Sequence, residues 1–298
     1  MEKTSELVSP RQAARAIDVS ESSLKRWCDQ GLIQTTRTAG GHRKIRLADI
    51  VQFARERGLS VGDPELLGLP PINQHSAPGS AGLQSAVALL VQALLDGSEL
   101  TARQVIFDLY LAKHPLSRIF DELIGLAFRE IGERWACNQA DVYQERRGCE
   151  ITQRILIELR RLQPVPPLTP LAIGGTIEGD NYSLPTAMCE LVMRDLGFQT
   201  IPLGTSIPIA SLVKAVQHLR PKVFWLSVSH IRDDIDFVTQ FAELSEICGA
   251  NGTALVVGGR ALTEDLRQRM AYSAYGDTMQ HLEGFAKTLF QAAAVKKQ

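Results

Sequence analysis

The sequence lacks the long apolar runs from which membrane-spanning helices are built. No apolar stretch in its 298 residues approaches the length of about 18 to 20 residues that a spanning helix needs. The opening segment, MEKTSELVSP, is polar and has no apolar core of a secretion signal. We therefore expect a protein of the cytoplasm with no membrane partner.

Closely spaced cysteines and histidines are also missing. The six histidines show no HxxxH or HExxH spacing, so the sequence indicates no zinc site. No GxSxG sequence occurs, and the glycine-rich run Gly174–Gly179 lacks the Lys-Ser/Thr pair of a nucleotide-triphosphate site. We therefore expect neither an enzyme nor a metal centre. The five cysteines form no CxxC pair and are expected to be reduced thiols: Cys28, Cys137, Cys149, Cys189 and Cys248.

Net charge is small but unevenly divided along the chain. The whole chain has a net charge of −1. Residues 1–58 contain eleven Lys and Arg against seven Asp and Glu, a net of +4, which leaves −5 for the remainder. A small basic head on a mildly acidic body favours contact between the head and a polyanion.

Two short helices are predicted in the basic head. Ser9 is a good N-cap and Pro10 is favoured at the first helical position. After a turn at residues 18–20, a second amphipathic helix follows. This spacing predicts a helix-turn-helix. The side chains of the second helix expected to face a DNA major groove are Ser22, Ser23, Lys25 and Arg26.

A hairpin wing is predicted directly after the second helix. Residues 35–46, TTRTAGGHRKIR, have two β-prone arms around Gly40-Gly41. A further helix is expected from Leu47 to about Arg57. Basic side chains crowd the arms and the tip of the hairpin, where they could grip phosphates: Arg37, His42, Arg43 and Lys44.

The head resembles the winged helix-turn-helix of the MerR family. The resemblance implies double-stranded DNA as a partner and regulation of transcription as the function. A small basic helical domain with no role on DNA is the alternative. The matching pieces are Leu24-Lys25-Arg26-Trp27, Gly31-Leu32-Ile33, Thr38-Ala39-Gly40-Gly41-His42-Arg43 and Asp49-Ile50.

After this DNA-binding domain of residues 1–58, a linker and a helical domain are predicted. Residues 59–82 hold four prolines and several glycines with little periodicity, which predicts a linker that lets the head move. Residues 83–163 show helical periodicity throughout. They predict a four-helix bundle with helices near 83–95, 99–112, 116–133 and 140–162.

A second linker at 164–170 precedes an α/β domain over 171–298. Helices between the strands imply right-handed crossovers and a flavodoxin-like doubly wound parallel sheet. The predicted fold class is thus multi-domain α and α/β. Ligands of such sheets bind outside the carboxyl ends of the strands, so a binding site is expected against the loop Thr176–Ser183. Strands are expected near 171–177, 199–203, 222–228, 253–258 and 272–275.

The bundle resembles the cap of cobalamin-binding photoreceptor repressors of the CarH/LitR type. The resemblance rests on Trp135 and Glu145, which nine residues separate. It implies that the tryptophan lies over the upper face of the corrin and that Glu145 meets the adenosyl group. The family follows this glutamate with a histidine that can ligate cobalt, whereas this chain has Arg146. Without that context, Trp135 is as well explained as a core residue.

The α/β domain resembles the cobalamin-binding Rossmann-like domain of the same family. Small residues at the strand ends would make room for a long ligand tail. The matching pieces are Gly179-Asp180, Gly197-Phe198, Leu203-Gly204 with Pro208, Ser227-Val228-Ser229, Gly258-Gly259 and Gly276-Asp277. Besides the three bundle residues, the resemblance implies cofactor binding by Asp180, Tyr182, Ser227, Ser229, Gly258 and Gly259.

The resemblance fails at the lower cobalt ligand. The family's loop reads Asp-x-His-x-x-Gly, and its aspartate orients the histidine. Here Tyr182 stands in place of the histidine and Pro185 in place of the glycine. A neutral phenol is a poor cobalt ligand beside an imidazole, so both protein-derived axial ligands are absent. His230 could substitute, although an exposed loop histidine is the better interpretation.

Three functions remain open at this point. The favoured one is a DNA-binding regulator, expected to repress, whose C-terminal domains control oligomerisation without His-ligated cobalamin or answer a small-molecule or protein effector. The second is a light-sensing repressor that holds adenosylcobalamin through cap and tail contacts. The third, a corrinoid enzyme subunit, has no use for a winged head. Either regulator implies a homodimer or homotetramer, because paired heads gain affinity on spaced half-sites.

Overall fold

The computed structural model describes residues 7–71, 80–164 and 170–295. Contacts between residues divide the chain into two units. The first takes the chain up to Pro115 and then Glu122–Pro164, and the second takes Leu116–Asp121 and the chain from residue 165 onwards. The basic head and most of the helical bundle therefore share one unit, and the sheet belongs to the other.

The first unit opens with the predicted helix-turn-helix. Helix α1 (Pro10–Ala16) begins at the Ser9 cap, and α2 (Glu21–Asp29) begins at the Ser20 cap. Between the helices Asp18 has a φ of 53°, a left-handed conformation that Asp tolerates better than most residues. The side chains on the facing sides of the two helices are buried: Ala13, Ala14, Ile17 and Leu24.

The wing is confirmed as a β-hairpin, and one more strand joins it. The antiparallel strands lie in the order β1-β3-β2: β1 (Leu7–Val8), β2 (Thr35–Arg37) and β3 (Arg43–Arg46). The extra strand β1 was not predicted, since two residues show no periodicity. Gly41 turns the hairpin at a φ of +79°. Helix α3 (Leu47–Glu56) closes the domain, where the rings of Trp27 and Phe53 lie 5.0 Å apart.

The described part of the predicted linker packs against the head instead of leaving it. A short 3-10 helix at Pro64–Leu67 contacts α1, and the backbone N of Asp63 donates to the carbonyl of Ala16 at 3.3 Å. Val61 and Leu69 are buried. The segment is too short to show a period, so its burial could not be predicted. Residues 72–79 of the predicted linker lie outside the described residues.

The predicted four-helix bundle is confirmed, with an interruption in its third helix. A π-helical turn at Phe120–Gly125 separates α6 from α7. Helix α4 packs against α5, α7 and α8. In the described ranges, no helix is long and apolar enough to cross a bilayer. The bounds of the helices are α4 (Ser80–Asp96), α5 (Glu99–Leu111), α6 (Leu116–Ile119), α7 (Leu126–Ala136) and α8 (Val142–Arg161).

The second unit contains the predicted doubly wound sheet. All its neighbouring strands pair in parallel, in the order β5-β4-β6-β7-β8, which is the flavodoxin-like order. The strands are β4 (Leu171–Ile177), β5 (Gln199–Ile207), β6 (Val223–Ser227), β7 (Ala254–Gly258) and β8 (Ala274–Gly276). The helices are α9 (Ser183–Asp195), α10 (Ile209–Leu219), α11 (Asp234–Ala250), α12 (Glu264–Arg267) and α13 (Met279–Val295).

Strand β5 is longer than the predicted span of 199–203. It continues to Ile207 because Gly204 takes a φ of +101°, and the register against β4 shifts on either side of Gly175. A glycine in a strand often marks such an irregularity. The extension brings Ser206 of β5 up to Asp180, whose carbonyl accepts from the backbone N of Ser206 at 3.0 Å.

The two faces of the sheet differ in what they bury. On one face, aliphatic and phenylalanine side chains pack against α10 and α11, with Phe224 and Leu226 of β6 at the centre. Alternate residues of β6 point to the opposite face, where α9 contacts β4, β5 and β6. The largest of these is Trp225, which is fully buried.

Candidate functional site

The second helix of the head exposes two cations to solvent. Lys25 and Arg26 on α2 are both exposed. Ser22 and Ser23 lie one turn earlier, and each hydroxyl is 2.9 Å from the hydroxyl of Ser20. The hydroxyls of these serines therefore belong to the N-terminal cap of α2. Lys25 and Arg26 remain as the side chains of this surface that can contact a ligand.

The wing places like charges directly opposite one another. In the register of the hairpin, Arg37 faces Arg43 and Thr36 faces Lys44. Arg43 is half-buried and donates to the carboxylate of Asp29 at 2.8 Å. Like charges opposite one another destabilise a sheet, and a single carboxylate offsets only part of the repulsion. Arg37 and the tip residue His42 are exposed.

The sheet edge is organised by the buried carboxylate of Asp180. Its Oδ1 accepts from the backbone N of Tyr182 at 3.0 Å. Its Oδ2 accepts from the backbone N of Ser229 at 2.6 Å and of His230 at 3.3 Å. The carboxylate is fully buried and joins the loop after β4 to the loop after β6. The resemblance implied that this aspartate orients a ligand; here it holds two loops together.

Tyr182 is covered by a residue that sequence reasoning missed. The guanidinium of Arg260 lies 4.7 Å from the centre of the Tyr182 ring, a distance typical of a cation–π contact. Its Nε donates to the carbonyl of Ser229 at 3.4 Å. Arg260 directly follows Gly258-Gly259 in the sequence. This position next to two predicted site residues was the signal that could have identified it. The loops after β4, β6 and β7 therefore meet at Asp180, Tyr182, Ser229 and Arg260.

The glycines of this edge make room for the chain's own backbone. A Cβ on Gly258 would lie 2.5 Å from the carbonyl O of Gly276, and one on Gly259 would lie 2.3 Å from that of Val228. Ser227 is buried opposite Gly258 in the register of β6 and β7. Gly258 and Gly259 thus make room for neighbouring backbone, whereas the resemblance predicts room for a ligand tail.

The three bundle residues belong to the first unit. Trp135 lies in the last turn of α7, not beyond it as predicted, and it is 49% exposed, so it is not a core residue. Glu145 is half-buried in the first turn of α8, and Arg146 beside it is exposed. Burial and then the Glu145 carboxylate raise the pKa of the Cys149 thiol to about 11.

His230 belongs to no metal-binding group of side chains in the part of the chain that the structure describes. Its side chain is exposed, as predicted, and its backbone N donates to Asp180. Over residues 7–71, 80–164 and 170–295, no group of three or more His, Cys, Asp or Glu side chains could hold a metal ion.

Two family models match separate parts of the chain. A helix-turn-helix domain model matches residues 7–58, and a B12 binding domain model matches residues 87–160. The chain is 27% identical to the HTH-type transcriptional repressor CarH of Myxococcus xanthus over 156 residues, which are 52% of each protein. It is also 27% identical to the trimethylamine corrinoid protein of Methanosarcina barkeri over 104 residues, 35% of this chain and 48% of that protein.

A solved structure shares the fold of the larger part. The monomethylamine corrinoid protein of Methanosarcina barkeri is superimposed with a TM-score of 0.58 at 14% identity, over 68% of this chain and 97% of that one. The chain spans about half the length of the curated relatives that it matches. A helix-turn-helix domain and a B12 binding domain are thus the two kinds of domain that successive parts of the chain resemble.

The sheet-edge residues do not fit a cobalt centre with a lower imidazole ligand. At the position where the resemblance places that ligand, the ring of Tyr182 faces Arg260, and a guanidinium there opposes a second cation. The Asp180 carboxylate already accepts three backbone N–H groups. These residues serve loop–loop contacts.

Proposed function

We propose that this protein is a DNA-binding transcriptional regulator that represses, and that its helical and sheet domains control the assembly of copies without His-ligated cobalamin. The observation that carries the proposal is the cationic surface of the helix-turn-helix domain: Lys25 and Arg26 on α2, and Arg37 opposite Arg43 on the wing. Repulsion between the wing arginines falls when phosphates lie beside them. The surface is thus complementary to a DNA backbone.

Assembly would link the body of the protein to its head. One winged head offers only a few phosphate and base contacts, whereas two heads joined in an oligomer bind the second half-site at high effective concentration. Half-sites would lie about 34–36 Å apart, one turn of the duplex. A signal that shifts the equilibrium between assembly states would therefore change the occupancy of DNA.

The test of this function uses the intact protein and a set of random-sequence and genomic duplexes. We expect binding at low salt whose observed constant falls steeply as salt rises, because counterions are released from the phosphates. Sedimentation of the same sample is expected to show a dimer or tetramer. A chain that binds none of the duplexes at low salt would refute the proposal.

A light-sensing repressor that holds adenosylcobalamin is the second candidate. The match of residues 87–160 to the B12 binding domain and the exposed Trp135 near the end of α7 favour it. The protein would be mixed with adenosylcobalamin in the dark, desalted, and examined by visible absorption and by gel filtration before and after green light. A red protein that changes size on illumination supports this candidate, and a colourless protein contradicts it.

A further inference from the structure

Trp225 lies in the middle of β6 on the face of the sheet that α9 covers. Its side chain is 1% exposed, and its Nε1 donates to the hydroxyl of Thr186 on α9 at 3.0 Å. Thr186 is itself buried. The one polar atom of the indole is therefore satisfied by the helix above it, so the ring is held in one position.

The neighbouring strand provides the space for this ring. Gly174 of β4 pairs with Trp225 in the register of the sheet. A Cβ on Gly174 would lie 2.3 Å from the indole Cδ2 and 2.2 Å from the carbonyl O of Trp225. Only a glycine fits there. The run Gly174-Gly175, which superficially resembles a phosphate loop, thus allows the indole and the adjoining strands to approach β4.

The indole lies where it can affect which ligands bind to the sheet. In the order β5-β4-β6, the chain turns to opposite sides of β4, and ligands of doubly wound sheets bind at such a switch point. Ser227 at the end of β6 lies two residues after Trp225 and so on the same face. A ligand group that passes from the edge at Ser227 down between the sheet and α9 therefore meets the indole.

We propose that Trp225 is a specificity-determining residue that closes the space between β4, β6 and α9 to ligands. A ligand at this sheet edge contacts the loops around Asp180 and Tyr182 and inserts no planar group beneath α9. The excluded class is a bicyclic aromatic base, because such a base matches the indole in size and shape. The inference depends on the packing of the sheet domain and not on DNA binding, so either can fail alone.

The principal experiment removes the indole side chain by mutation and then adds free indole to the variant. Trp225→Ala should leave an apolar cavity of indole shape, and such cavities bind small aromatic molecules. Thermal unfolding of the full-length variant would be followed with and without millimolar indole. We expect indole to raise the Tm of Trp225→Ala by about 3 °C if its concentration is about ten times Kd. Wild type and the control Trp135→Ala, which loses an exposed tryptophan, should show no rise.

Two outcomes of this experiment overturn the proposal. A folded Trp225→Ala protein with no response to indole would show that no such space exists. An equal response of wild type to indole or benzimidazole would show that the space is open although Trp225 is present.

A second variant covers the case in which Trp225→Ala does not fold. Trp27→Phe with Trp135→Phe leaves Trp225 as the sole tryptophan, because the chain has three. Its fluorescence should be quenched by acrylamide several-fold less than that of free tryptophan, and millimolar benzimidazole should not change this. Ready quenching, or an increase in quenching with benzimidazole, contradicts a closed site.

Discussion

The guanidinium of Arg55 lies 4.1 Å from the centre of the buried Tyr110 ring and ties the head to the bundle. Arg55 is in the last turn of α3, and it donates to the backbone carbonyls of Tyr110 and His114, the latter at 3.2 Å. Carbonyls at a helix C-terminus have no partner within the helix. In return, Lys113 donates to the carbonyl of Gly58. The head is thus docked on the end of α5.

Arg55→Gln is expected to release the head from the bundle. The variant loses the cation–π contact and charged donors to carbonyls, and each such hydrogen bond contributes about 1.5–3 kcal/mol. We expect faster proteolytic cleavage between head and bundle and a changed affinity for DNA, with both domains still folded by circular dichroism. The matched control is Arg57→Gln, since Arg57 is exposed and lies over Phe53 within the head. Equal cleavage of the two variants would contradict the docking.

Lys25→Ala and Arg26→Ala should weaken DNA binding. Each removes one exposed cation of α2, so a phosphate contact is lost and the slope of log K against log salt should fall by about 1. A base contact of Arg26 would instead cost about 1–3 kcal/mol at one base position. Fluorescence anisotropy over a salt series measures both quantities. Lys214→Ala, an exposed lysine of α10, is the control and should bind as wild type does.

Arg43→Ala separates a phosphate contact from a purely structural ion pair. If Arg43 grips phosphate, the variant should bind DNA more weakly across all sequences with a smaller salt slope, whereas Asp29→Ala frees the guanidinium and should retain or gain affinity. If the pair with Asp29 only braces the wing, both variants should lose thermal stability and affinity together. Anisotropy and thermal unfolding of the two variants decide between these results, and unchanged binding by Arg43→Ala refutes the wing assignment.

Tyr182→His with Arg146→His is expected to raise the affinity for cobalamin. The double variant restores imidazoles at the two positions where the family resemblance places them, and an imidazole is the better cobalt ligand. Adding Trp225→Val should raise the affinity for cobalamin further, because the space under α9 then opens to a bicyclic aromatic group of the ligand. Visible spectra of hydroxocobalamin titrated with each protein report the ligand at cobalt. Spectra identical to that of wild type would count against the alignment of the two positions.

The thiols of Cys149, Cys189 and Cys248 should resist alkylation until the protein unfolds. Burial raises the pKa of Cys149 to about 11 and that of Cys189 and Cys248 to about 12, so the reactive thiolate is scarce at neutral pH. The exposed Cys137 should react with iodoacetamide first, as peptide mass spectrometry would show. The folded state keeps these protons where the unfolded state loses them, so stability should fall as pH rises from about 9 towards 11. Prompt labelling of Cys248 would contradict its burial.

The sequence by itself was sufficient for most helices and strands and for their order, although not for β1 or for the short helix at Pro64–Leu67. The signals for the predicted elements are local, and each depends on neighbours a few residues away. They are the cap at Ser9, the glycine pair of the wing, the helical periodicity over 83–163 and the short apolar strands. They predicted the winged head, the bundle and the parallel sheet. The tyrosine at position 182, where the resemblance predicts a histidine, could likewise be read from the sequence, because it concerns one position.

Only the tertiary structure decided what those residues do. Three contacts join positions about 50 to 80 residues apart. The Asp180 carboxylate accepts from the backbone of Ser229 and His230, Arg260 lies over the Tyr182 ring, and Trp225 packs against Gly174. The docking of Arg55 on Tyr110 likewise spans 55 residues. Such contacts depend on which strands and helices become neighbours in the fold. The spacing of apolar and polar residues along a short stretch of sequence does not indicate them.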